Sequence, residues 1–149
     1  MTTKEQTIAI TEKTQELIQD ILHELTCLEY QSQHDWKSGI EKLTQNAVHN
    51  MSWYAKDIYV GQFMENKYKK FAALIKENEN NIEEDLIPAL EEIEEQYDYF
   101  LSQPFNLRTK STCEVTQMTS TWEYECQLNA KNLVKKLLKQ IKKETLFGG

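Results

Sequence analysis

Punctuation is scarce in this chain. Four glycines and two prolines in 149 residues cannot turn a sheet of many short strands. Cysteine is scarce too. Cys27, Cys113 and Cys126 are odd in number and widely spaced, so they make neither a disulfide framework nor a CxxC motif. A reducing compartment fits that pattern, and the cytoplasm is the expected location. The opening residues lack an apolar leader, and no hydrophobic run reaches the length of a membrane span. Basic excess is missing as well. A net charge of −7 repels phosphate, so neither nucleic acid nor a membrane is an expected partner.

Catalytic signatures are also lacking. There is no Gly-x-Ser-x-Gly elbow, Walker loop or glycine-rich phosphate cradle. Ten acids crowd Glu77–Asp98 with no Lys or Arg among them, and pairs such as Glu91 with Glu94 or Glu95 resemble half of a di-iron site. Such sites require Glu-x-x-His on two helices, and no Glu-x-x-His occurs here. Asp20, His23 and Cys27 share a helical face and could supply three zinc ligands, with His34 or His49 as a fourth. Common surface residues at that spacing read more simply as a solvated face. Cys113, in the first turn of a predicted helix, is placed to have a lowered pKa. The expectation is no enzyme, no cofactor and no metal.

What is present is helical periodicity. Ile82, Leu86, Leu90, Ile93, Tyr97 and Phe100 step by threes and fours, one stripe on one helical face. Pro88 interrupts that stripe, so the helix either bends there or has separate first turns. Pro104 biases Gln103 away from helical geometry, ending the arm in a loop over Ser102–Lys110. Ser111-Thr112-Cys113-Glu114 is a capping box. The helix behind it carries Val115, Met118, Trp122, Cys126, Leu133, Leu137 and Ile141, with Trp122 expected in the core. It stops at Gly148-Gly149.

Upstream, Ile10, Leu17, Ile18, Ile21, Leu22, Leu25 and Leu28 fall in one arc of a helix from Thr3 to about Gln33. Gln31–Gly39 reads as a turn. A second helix follows, with Ile40, Leu43, Ala47, Met51, Tyr54 and Ile58 in step. After Gly61 its stripe (Met64, Tyr68, Phe71, Ile75) changes phase, which predicts a kink or break near Gly61. Glu77–Asn81 forms the next turn. The chain therefore reads as a single domain over 1–149: all-α, an antiparallel up-down-up-down four-helix bundle with the second helix kinked or broken near Gly61. Trp36-Lys37-Ser38-Gly39 resembles the Trp-x-Gly turn of the small secreted WXG helical-hairpin proteins. One residue too many separates Trp from Gly, and the likeness covers that turn alone.

Two surface features remain. Lys131, Lys135, Lys136, Lys139, Lys142 and Lys143 form a basic stretch without an intervening acid. Its nearest target is the chain's own acid run, with Glu77–Asp85 expected beside the later half of the last helix. The second feature is aromatic excess. Tyr30, Trp36, Trp53, Tyr59 and Phe63 are the candidate partner-binding residues, because such rings off the main stripes suit interfaces. The resulting expectation is a non-enzymatic adaptor or complex subunit that binds a protein partner or itself through a helical, aromatic face. The alternative is a metal- or small-ligand-binding bundle acting as sensor or enzyme.

Overall fold

The computed structural model describes residues 3–103 and 113–147. Those residues are all-helical, without a strand. Helix α1 spans Thr3–Gln45 and α2 spans Ala47–Asn78. A π-helical turn over Ile82–Leu86 leads into α3, Ile87–Ser102, and α4 spans Glu114–Phe147. The capping box at Ser111, the Pro104 loop beyond Gln103 and the Gly148-Gly149 stop lie outside the described residues.

The first turn is not where composition put it. Gln31–Gly39 lies inside α1, which at 43 residues is about 65 Å long. The turn-favouring residues there are held in the helix by packing on α2. Gly39 is buried, and a Cβ on it would stand 2.7 Å from Ile58 Cγ1. The likeness to a Trp-x-Gly turn ends at the same point. The reversal comes at Asn46 instead. Its side-chain oxygen accepts from the His49 N–H at 3.1 Å, while Asn50 Nδ2 donates to the Lys42 carbonyl at 2.8 Å. The first satisfies an N–H at the start of α2 that would otherwise lack a partner, and the second joins the Asn46 N–H already on the Lys42 carbonyl.

Gly61 does not break α2, which is helical from Ala47 to Asn78. A Cβ there would meet Trp36 Cβ at 2.8 Å and the Ser32 carbonyl at 2.9 Å. The glycine thus permits two helix backbones to touch. The change of stripe phase reflects a change of neighbours. Ile58 lies against Gly39 of α1 and Tyr59 meets Trp122 of α4, whereas Phe71 and Ile75 enter the main core.

Pro88 sits in the first turn of α3, where its missing N–H costs nothing. The turn before it is separate: the Leu86 N–H donates to the Asn81 carbonyl, a π-type span. Gln103 is extended (φ −68°, ψ 136°), as the proline after it requires.

The core gathers at one end. Ile18, Ile21 and Leu25 of α1, Phe71 and Ile75 of α2, Leu86 and Leu90 around the start of α3, and Val134, Leu137 and Ile141 of α4 form one buried cluster. Each large aliphatic side chain buried this way contributes about 1.5–3 kcal/mol. Toward Asn46 burial fades, and residues 44–49 are all exposed.

The basic stretch of α4 does meet the chain's acids, in a different register from the one expected. Lys131 pairs with Asp98, Lys142 with Glu91 at 3.0 Å and Lys136 with Glu24 at 3.5 Å. The pairs go to acids of α3 and α1, while residues 80–84 lie with Thr145 around a groove near the end of α4. These partly exposed pairs are worth at most about 1 kcal/mol each.

Candidate aromatic interaction site

The candidate residues divide into three groups. Tyr59 and Phe63, one turn apart on α2, stack at 6.1 Å between ring centroids with planes 21° apart. Trp122 of α4 closes on Tyr59 at 5.7 Å in a tilted arrangement. Lys67, the next turn along, places its ammonium 5.4 Å from the Phe63 centroid and 5.3 Å from that of Tyr97. Burial, reinforced by Glu123, raises the Tyr59 phenol. The result is a continuous strip of rings with a cation at one end.

Trp36 belongs elsewhere. It is half-buried in the α1–α2 seam, and its indole N–H donates to Glu65 Oε2 at 2.6 Å. Lys69 reaches the other carboxylate oxygen at 3.0 Å. The Trp36 hydrogen bond first, then Lys69, holds the Glu65 carboxyl below its ordinary value. This buried acid is paired, as a buried charge must be.

Tyr30 and Trp53 are the exposed members, 73% and 71% accessible. Tyr30 stands on α1 beside a shallow polar groove with His34, Lys37 and Glu41. Trp53 stands near the Asn46 reversal with Val48, 98% accessible, and Met51.

The sequence reading missed the exposure of the start of α4. Helical periodicity puts Val115, Met118 and Trp122 on one apolar stripe, yet Val115 and Met118 are exposed and Trp122 is only half-buried. Tyr59 meets Trp122, while Met64 and Asn129, and Tyr68 and Leu133, line one cleft. Tyr59 of α2 and Trp122 of α4 are thus in contact, and Met118 and Val115 lie one and two turns before Trp122 on α4. Periodicity along α4 could not reveal this, because the stripe is regular and only its partner is missing. Val48, Met51 and Trp53 of α2 and Val115 and Met118 of α4 are all exposed.

Other clusters are less organised. A cleft of about 640 Å³ between α1, α2 and α4 is lined by Ser32, Asp57, Tyr68 and Asn129 among others. Cys27 Sγ and His23 Nε2 lie 3.7 Å apart on an exposed face. Among the described residues no three His, Cys, Asp or Glu side chains gather as a metal site would require, and no helix is long and apolar enough to cross a membrane. No family model matches the chain, and neither a curated protein nor a solved structure matches it significantly.

Proposed function

We propose that the chain is a non-enzymatic cytoplasmic adaptor or complex subunit, an antiparallel up-down-up-down four-helix bundle that binds a protein partner or a second copy of itself through its aromatic end. The topology is supported by the order of contacts. Gly39 meets Ile58, Trp36 meets Glu65, Lys69 approaches Glu29 and Gln15 reaches Glu79. Asp98 and Glu91 likewise meet Lys131 and Lys142 in descending order.

The observation that carries the functional reading is the exposure of Val48, Met51 and Trp53 on α2 and of Val115 and Met118 on α4. Scattered exposed apolar residues are ordinary, whereas a grouped set flanked by a stacked aromatic strip marks an interaction surface. Tyr59, Phe63 and Trp53 are the anchors; exposed Tyr30 extends the surface along α1, and Trp36 supports it from the α1–α2 seam. Ion pairing within the bundle and the net charge of −7 support a protein rather than a nucleic acid or a membrane as partner.

The test is Trp53→Ala and Phe63→Ala, each followed by thermal melting, sedimentation and affinity capture with an identified partner. Trp53→Ala should leave melting unchanged while weakening association, as loss of an interface anchor does. Unchanged association in both variants, with folding intact, overturns the proposal.

A further inference from the structure

Helices α2 and α3 follow one another in the chain yet leave a groove of about 430 Å³ between them, floored by Gln127 of α4. Its walls carry Phe71 of α2 and Ile93, Tyr97 and Phe100 of α3. Lys67 and Lys70 stand together at this groove. The Lys67 ammonium lies against the faces of Phe63 and Tyr97, and ring quadrupoles hold a cation there without neutralising it.

Five other lysines of the bundle are ion-paired. Lys56, Lys69, Lys131, Lys136 and Lys142 each reach a carboxylate. Lys67 and Lys70 have no ion pair among the described residues. Glu123 of α4 is the acid whose field reaches Lys67. Burial, and then the like charge of Lys70, pulls the Lys67 amine below its ordinary value. The attraction of an anion bound there would offset both costs.

A second unpaired group lies at the floor. The Gln127 side-chain oxygen is buried without a hydrogen-bond partner among the described residues. Such a group calls for a missing polar neighbour, and rotation of the amide offers either a donor or an acceptor. Apolar walls, two cations and an unsatisfied amide oxygen are the elements of a small-molecule site.

We propose that the α2–α3 groove binds a monocarboxylate with an apolar body, its carboxylate between Lys67 and Lys70 and its chain against Phe71, Ile93 and Phe100. The groove adjoins the aromatic strip at Lys67, whose ammonium lies over Phe63, while its apolar walls are Phe71, Ile93 and Phe100.

Titration calorimetry on the full chain tests this with decanoate, and with decanol and acetate as the two halves of that ligand. Decanoate should bind at least tenfold more tightly than either half. Lys67→Met, which keeps the aliphatic stem, should weaken decanoate binding roughly tenfold, the cost of losing a hydrogen bond between charged groups. Lys70→Gln, on an exposed residue, should weaken it less, and it decides the matter if Lys67→Met does not fold. Ile93→Trp should block the groove. Decanol binding as tightly as decanoate, folded lysine variants that bind like the parent, or no heat of binding at millimolar decanoate would each overturn the proposal.

Discussion

The Trp36 indole donates to Glu65 across the α1–α2 seam, one helical turn from where the Trp36 backbone itself meets Gly61. Backbone contact and charged hydrogen bond reinforce each other: the glycine lets the helices close, and the closure brings the indole within 2.6 Å of the carboxylate.

Gly61→Ala should therefore destabilise by about 1–3 kcal/mol, as overpacking does. Its new methyl would meet the Ser32 carbonyl and Trp36 main chain, neither of which is free to swing aside. Gly39→Ala should cost less, since its nearest neighbour is the Ile58 side chain. Urea melts of the two variants check the order. Equal midpoints would mean that the seam opens without cost.

Glu65 predicts a pH dependence. Its folded value lies below the ordinary 4.5, so its contribution to stability is complete above about that pH. It declines as pH falls through the folded value and is gone below both. Asp98, held low by Lys131, acts in the same direction. Glu65→Gln should remove part of the acid loss between pH 5 and 3 while lowering stability at pH 7. Denaturant melts across that range measure both effects.

Trp122 provides the third test. As a core residue it would cost about 3–5 kcal/mol on truncation. Half-buried against Tyr59, it should cost only about 1–2 kcal/mol, largely the aromatic pair. Leu90→Ala, in the buried cluster, should cost about 2–5 kcal/mol. The two melts side by side separate a rim aromatic from a core side chain.

Thiol chemistry offers the fourth. Cys126 is buried and its thiol is pushed up to about 11, chiefly by burial. Cys113 is exposed, and hydrogen bonds from Thr116 and then Val115 lower it. Iodoacetamide at pH 7.5 should label Cys113 before Cys27, with Cys126 reacting only after denaturant is added. Peptide mapping of the alkylated chain reads the order directly.

Helix content was legible because the stripes of α1, α3 and α4 repeat at helical spacing, and Pro88 declared its turn in advance. The α1–α2 reversal was not. Ser32, Ser38 and Gly39 carry turn chemistry, but they pack on α2, and tertiary contact overrides local preference. Asn46, with its capping side chain, was a readable signal outweighed by a longer polar run. Tyr59 and Phe63 stood out by leaving their stripe. Their neighbours Trp122 and Lys67 did not, because nothing local in a sequence states which helices meet.

The fading of burial toward Asn46 has a consequence for motion. Residues on either side of that reversal keep their helical backbone bonds yet bury almost nothing. Local opening there exposes little apolar surface and so requires far less free energy than opening near Ile18 or Ile141. Amide hydrogen exchange will accordingly run as a gradient along α1 and α2, slow where α3 and α4 lie over them and fast at the reversal, although the helix is unbroken on each side. The end that offers its aromatic side chains is thus also the end whose backbone yields first, and a partner can reshape it without disturbing the core.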